Sequence, residues 1–256
     1  MQIPTEFKQS TLDEILSSER EMVLHGVERY GRFYINALEF INLLGSGMIN
    51  SIDADRFVFA IFLSQIRKHL TLSLLSAVRL HKVQTMMNLR QVLEAGASAA
   101  YAIANTDPAD FADTRDDGSL DPSQNLARKR YEWLDHNFTV GSASIKRMKY
   151  IINDIGAHAN IVTAQQTFKH DFDAGIFSTP FFDYEDEMWV KTDLWQIANV
   201  ALGIMDLLYG VNEIFGGIKI QNGWSDRFKA LAAENDRLKT EMLGHERLKR
   251  FNLDVH

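Results

Sequence analysis

The chain is 256 residues long, 46% hydrophobic and without cysteine, which supplies a packed core and excludes disulfide scaffolds, thiolate nucleophiles and cysteine-based metal sites. Fifteen glycines and four prolines are too few for a β-sandwich, which needs a turn every ~8–12 residues. Twenty-seven Lys and Arg stand against 34 Asp and Glu, a net charge of −7, so any contact with a polyanion has to come from a local patch.

Residues 1–14, MQIPTEFKQSTLDE, lack the basic start and apolar run of a secretory signal. No uncharged apolar run reaches the ~18–20 residues of a membrane span; the best, Leu194–Met205, is bracketed by Asp193 and Asp206. A cytoplasmic protein without membrane contact is therefore expected. Thr11 and Glu14 form a capping-box pattern, and Leu12, Ile15, Leu16, Val23, Val27, Tyr30, Phe33 and Tyr34 follow at helical spacing. That helix is expected to run to about Leu44, with Gly45 and Gly47 ending it. A second helical stretch runs from Asp53/Asp55 to about Asn105. As one helix it would extend roughly 75 Å, so it is expected to fold into two antiparallel helices parted near Leu80–Val83, although no glycine or proline marks the break. The apolar segment 57–63, FVFAIFL, reads as part of a central helix.

Residues 106–122 carry Asp107, Asp110, Asp113, Asp116, Asp117 and Asp121 against a lone Arg115 and read as a solvated loop; the spacing of a calcium loop is absent. Two helices, about 123–137 and 142–165, follow. Residues 167–184 alternate and contain Gly and Pro, the pattern of a short β-hairpin. A densely apolar helix at about 190–215 belongs to the core, and 217–224 is a glycine-rich hinge. In the final helix, from residue 225 onward, Phe228, Leu231, Asn235, Leu238, Met242 and His245 follow the a/d steps of a coiled coil. That stripe suits either a parallel homodimer or a helix folded back on the bundle, and periodicity does not choose between them. The expected architecture is all-α: an up-and-down bundle of five to six helices over residues 1–216, a hairpin insertion, and a projecting or coiled-coil C-terminal helix over 225–256.

Two segments resemble something known. NLRQVLEAGASAAYAIAN (88–105) places Arg90 and Glu94 one turn apart, and YIINDIGAHAN (150–160) carries Tyr150, Asp154 and His158 along one helix face. A helix with R-x-x-x-E, then one with Tyr, a small residue and His, is similar to a family of all-helical bacterial proteins. That family is distantly akin to the HEPN domains of toxin–antitoxin and phage-defence systems. Over residues 55–215 the resemblance implies a helical bundle that often dimerises, sometimes with metal-independent ribonuclease activity. The HEPN ribonuclease motif is Arg, four to six residues, then His; Arg holds phosphate and His works as general acid/base on the 2′-hydroxyl. Arg20–His25, Arg130–His136 and Arg250–His256 have that spacing, which short helical sequences reach by chance. Arg130–His136 is the best of them, because Arg128, Lys129, Lys146, Arg147 and Lys149 make a local basic stretch. The residue after Arg130 is Tyr131, where the motif usually has a polar residue, and His158 has no Arg at the required distance.

Arg90 and Glu94 on an apolar helix suggest either a structural ion pair or a ligand contact. Asp154 at i−4 is positioned to orient His158. Glu21–His25, Glu132–His136 and Asp154–His158 are i, i+4 pairs, but Glu-x-x-His is absent, so neither a metal nor a cofactor is expected. No P-loop, G-x-G-x-x-G, G-x-S-x-G or H-E-x-x-H occurs. The expected function is a non-enzymatic helical interaction or regulatory protein, a homodimer through its C-terminal helix, with a protein partner favoured over RNA. A HEPN-like ribonuclease is the alternative.

Overall fold

A computed structural model describes residues 10–123, 125–155, 164, 168–171, 176–183 and 186–246. Nine α-helices occur among them: α1 Leu12–Leu24, α2 Gly26–Tyr30, α3 Arg32–Asn42, α4 Phe57–Val78, α5 Lys82–Ala104, α6 Leu126–Asn137, α7 Thr139–Ile155, α8 Glu187–Phe215 and α9 Trp224–Gly244. Three short antiparallel strand pairs accompany them: β1 (Ile49–Ile52) with β6 (Ile218–Ile220), β2 (Ala112–Thr114) with β3 (Leu120–Pro122), and β4 (Lys169–Asp171) with β5 (Ile176–Ser178). The fold is all-α, and β4–β5 is the hairpin expected from the alternation of 167–184.

The chain reverses where compactness requires it. Between α4 and α5 the turn falls on Arg79–His81, with Leu80 at φ 60. A left-handed residue breaks a helix as surely as glycine does, at a cost of roughly 1 kcal/mol. Here the turn is bound from outside: Glu19 of α1 accepts from His81 Nε2 (2.9 Å) and Arg79 Nη1 (3.4 Å), and Asp183 N–H donates to the Leu80 carbonyl (2.9 Å). The following Lys82 reaches Asp193 of α8 with both oxygens at 3.1 Å, a buried pair joining α5 to α8.

At the N-terminus one long helix was expected and three short ones are found. Thr11 and Glu14 do form the capping box (2.8 and 3.3 Å). The helix then breaks at His25 and at Gly31, whose φ of 52 suits a residue without Cβ. These breaks turn α3 into the bundle, where Phe33, Ala37 and Phe40 are buried, while α1 buries no residue. Residues 43–47 end α3 in a wide π-helical turn rather than a simple glycine stop.

Helix α8 is the axle: α3, α4, α5 and α9 all pack on it. Against α5 it packs tightly at Gly96, where a Cβ would lie 2.3 Å from Ile204 Cδ1. Helices α6 and α7 cover the other side of α5. By length and composition α8 and Ala54–Val78 are apolar enough to cross a membrane, although neither has an uncharged run of spanning length. For α8, core packing accounts for the apolarity, since 61% of its apolar window is buried. Helix α4 is less central than 57–63 suggested: Val58 and Phe59 are buried, yet Phe57 and Ile61 lie about half exposed.

Residues 217–224 are not a bare hinge. They carry β6, which pairs with β1 and is clamped by Asn212, whose amide donates to the Ile218 carbonyl (2.9 Å) and accepts from its N–H (3.0 Å). Likewise the acidic segment 106–122 is ordered as the β2–β3 hairpin, its turn closed by Arg115 on Asp121. Helix α9 lies back on α3 and α8. Its a/d stripe is used there: Asn235, Leu238 and Met242 are buried, Asn36 donates to Asn235 Oδ1 (2.9 Å), and Trp195 Nε1 donates to the Asn235 carbonyl (3.0 Å). The stripe therefore meets its own chain. His245, its last member, is exposed, and residues 247–256 lie outside the described residues.

Candidate functional site

The residues singled out from sequence converge in part, on the surface formed by α5, α6 and α7. Their placement follows from helix phase. On α5, Arg90 and Glu94 sit one turn apart and face α6 and α7; on α7, Lys149 and Asn153 are likewise i, i+4. On α6, Leu134 points into the core and Arg130, one turn earlier, points the same way.

At the centre stands Glu94. It does not pair with Arg90, its neighbour on the helix. Its carboxylate instead binds the Arg130 guanidinium and the Lys149 ammonium. Arg130 also donates to Ser98 Oγ at 2.6 Å and to the Glu94 carbonyl at 3.4 Å. Its side chain is only 12% exposed, and its Nε is a buried donor without a partner. Burial pulls the Arg130 guanidinium below its ordinary value, Tyr131 opposing, but guanidinium starts so high that it stays cationic at neutral pH. Arg90 Nη1 donates to Asn153 Oδ1 at 2.5 Å.

Tyr131 gathers the cations. The Arg130 guanidinium, Lys146 and Lys149 lie 5.0, 5.8 and 4.8 Å from its ring centroid, within cation–π range, and Lys149 Nζ donates to its hydroxyl at 3.1 Å. Lys146 is held by Asp135 (2.6 and 2.7 Å), which also accepts from Ser142 at 2.6 Å. These donors hold the Asp135 carboxyl below the usual aspartate range. Arg147 is exposed and engaged. Over this cluster lies an open cavity of about 520 Å³ bordered by Arg128, Tyr131, Lys149, Tyr150 and Asn153. Tyr150 is 71% exposed.

The Arg130–His136 pair does not converge. Six residues along a helix is a rotation of 600°, so the two side chains leave α6 on different faces. Arg130 turns inward to Glu94, and His136 is exposed. The Arg130 guanidinium, shared between the Glu94 carboxylate and the Ser98 hydroxyl, ties α6 to α5. His158 and the pair Arg250–His256 lie outside the described residues, as does the side chain of Asp154. His25 sits at the α1–α2 break between Glu21 (3.3 Å) and Glu28 (2.8 Å), with both ring nitrogens occupied.

Sequence spacing missed Ser98, Tyr131, Lys149 and Asn153 as members of this cluster. Only Lys149 carried a signal, as part of the basic stretch; the others are set by how three helices cross. Among the described residues no three His, Asp or Glu side chains come together to hold a metal ion. A second cavity, about 650 Å³, opens between α7 and α8 over Gly203 and Gly210, with Phe138, Val140 and Leu207 on its walls. The comparisons offer no relative for either site: no family model, curated protein or solved structure matches the chain.

Proposed function

We propose that the chain is a non-enzymatic helical interaction protein, a regulatory partner of the kind found in prokaryotic defence or stress modules, working in the cytoplasm. One observation carries the non-enzymatic part: the best Arg–His pair is split between the inside and outside of α6, with Arg130 committed to Glu94 and Ser98. General acid/base cleavage of RNA needs phosphate holder and proton carrier on one substrate, and these two are not so placed. The defence or stress setting rests on the sequence resemblance to HEPN-like helical proteins alone. A homodimer is proposed on the same footing. Exposed Leu12, Leu16, Phe57 and Ile61 offer it apolar surface, whereas the a/d stripe of α9 is already covered by α3 and α8.

The test is incubation of the full chain with structured and single-stranded RNA beside Arg130→Ala and His136→Ala. We expect no cleavage by the wild type. Cleavage abolished by either substitution would overturn the reading in favour of a ribonuclease. Light scattering of the intact protein reads the dimer directly, and affinity capture from the native host names the partner.

A further inference from the structure

Helices α7 and α8 both pack on α5 but hardly touch one another. The wedge between them is the 650 Å³ cavity, a volume within the range of small-molecule sites. Its inner end reaches the core, where Leu93 of α5, Ile145 of α7 and Ile204 of α8 are buried. Val140, almost fully exposed, stands at its mouth. Along α8, Asn199, Gly203, Asp206 and Gly210 fall at i, i+4, i+7 and i+11, one face of the helix turned to the cleft. A Cβ on Gly203 or Gly210 would meet nothing within 4 Å. Alanine would fit at both positions and would favour the helix. Glycine instead leaves the backbone open to close approach from outside the chain.

The charge of this cleft has one sign. Among the described residues Asp206 borders it and no Lys, Arg or His does. The Asp206 carboxylate is exposed and has no partner among the described residues. Asn137 and Thr139 each spend a donor on a carbonyl of α6, at 2.8 and 2.9 Å, and keep an oxygen to accept. On the α8 wall Tyr209 has its phenol held above the ordinary value, first by the charge of Glu213 and then by burial. The first turn of α7 borders the mouth too, and a helix N-terminus alone would favour an anion. Here α6 ends at Asn137 on the same corner, so the negative end of one helix meets the positive end of the next. The full charge of Asp206 therefore sets the sign, and an ammonium, which only donates, answers it.

We propose that this cleft binds a small apolar amine, with its ammonium on Asp206 at the mouth and its hydrocarbon body laid over Gly203 toward Leu93. Depth and apolar walls supply the affinity, and the single carboxylate supplies orientation and the choice of charge. The site lies apart from the Glu94 cluster, and the proposal stands whether or not the chain has a protein partner.

Calorimetric titration of the full chain at low salt with 4-phenylbutylamine, beside 4-phenylbutyrate as a near-isostere of opposite charge, tests it. Tryptophan emission gives a second readout, because Trp133 packs on Phe138 at 5.5 Å and Trp224 stacks on Tyr209 at 5.0 Å. The amine should bind about tenfold tighter than the acid and shift the emission. Asp206→Asn should weaken the amine about three- to fivefold, as for a solvated ion pair. Asp236→Asn, which removes an exposed carboxylate from α9, should change nothing, and so separates the site from the acidity of the whole chain. Gly203→Leu fills open space and should abolish binding without lowering the melting temperature; if that variant does not fold, the surface change at Asp206 still decides. No saturable binding of the amine, or the acid binding as tightly, overturns the proposal. Equal losses from Asp206→Asn and Asp236→Asn, or undiminished binding by folded Gly203→Leu, overturn it as well.

Discussion

Leu238→Ala on α9 separates a helix held by its own chain from one held by a second chain. Leu238 is completely buried, with Asn235 and Met242 on either side of it. The substitution removes three carbon atoms from the core, about 2.4 kcal/mol at ~0.8 kcal/mol for each methylene equivalent. A cavity between α9 and the bundle adds to this, which places the loss at about 3 kcal/mol, within the ~2–5 kcal/mol seen for buried Leu→Ala changes. For a chain of this length that lowers the melting temperature by roughly 6–12 °C. Asp236→Ala, exposed on the same helix, should stay within about 0.5 kcal/mol. The assay is thermal and urea unfolding followed by circular dichroism over about a hundredfold range of protein concentration. Intrachain packing makes the difference between the two variants independent of concentration, whereas a stripe filled by a partner ties stability to mass action. A Leu238→Ala loss below about 1 kcal/mol, against the range for buried leucines, or one that shrinks on dilution would refute the fold-back reasoning.

Two glycines of the α5–α8 region should respond with opposite signs. Gly96→Ala drives a methyl into Ile204, whose Cδ1, Cγ1 and Cγ2 lie 2.3, 3.1 and 3.3 Å from the new Cβ; overpacking a stiff β-branched side chain should cost about 1–3 kcal/mol. Gly203→Ala meets nothing within 4 Å and should gain about 0.5–1 kcal/mol of helix propensity, so equal effects in urea unfolding would contradict the crossing geometry. Lys82→Met strips Asp193 of its buried counter-charge and should cost about 3–5 kcal/mol near neutrality. Burial already raises the Asp193 carboxyl above its ordinary value, with Lys82 pulling it back. A raised carboxyl favours folding below its unfolded value and loses that contribution as pH rises through the folded one. The deficit of Lys82→Met should therefore be smaller at pH 4 than at pH 7, and a deficit that grows in acid would contradict the pairing. His25, held between carboxylates, has its proton affinity raised chiefly by Glu28. Its bridging across the α1–α2 break is fully present below about pH 6.5 and lost as pH rises through the higher folded value. In an NMR titration Glu28→Gln should move the ring's midpoint down.

What the sequence disclosed depended on the range of the interaction responsible. The division near Leu80–Val83 was legible without any helix breaker because a single helix would not fit the domain; Leu80 supplies the left-handed turn that a glycine was not there to provide. The Thr11–Glu14 cap was legible because it is local. The β1–β6 pair was not, since strands of three and four residues carry almost no pattern of their own and meet across 166 or more residues of chain. The stripe on α9 was visible as a stripe, but the partner surface is a property of α3 and α8. The candidate site divides in the same way. Spacing found Arg90 and Glu94 and suggested an ion pair, within the helix or between helices, or a ligand contact. Helix crossing gives Glu94 instead to Arg130 and Lys149, and that choice leaves Arg90 on an amide.

The pairing of β1 with β6 also sets an order of events during synthesis. Strand β1 and helix α3 leave the ribosome early, yet the surfaces that cover them, α8, β6 and α9, follow only after residue 186. At ~5–20 residues per second the first fifty residues wait roughly ten seconds or longer with Phe33, Phe40 and the edge of β1 uncovered. The α4–α5 hairpin, whose contacts are local, is free to form in the meantime. A chain stopped short of β6 would thus hold a formed centre and a sticky beginning, and its susceptibility to chaperone capture or proteolysis should fall abruptly once about residue 244 has emerged.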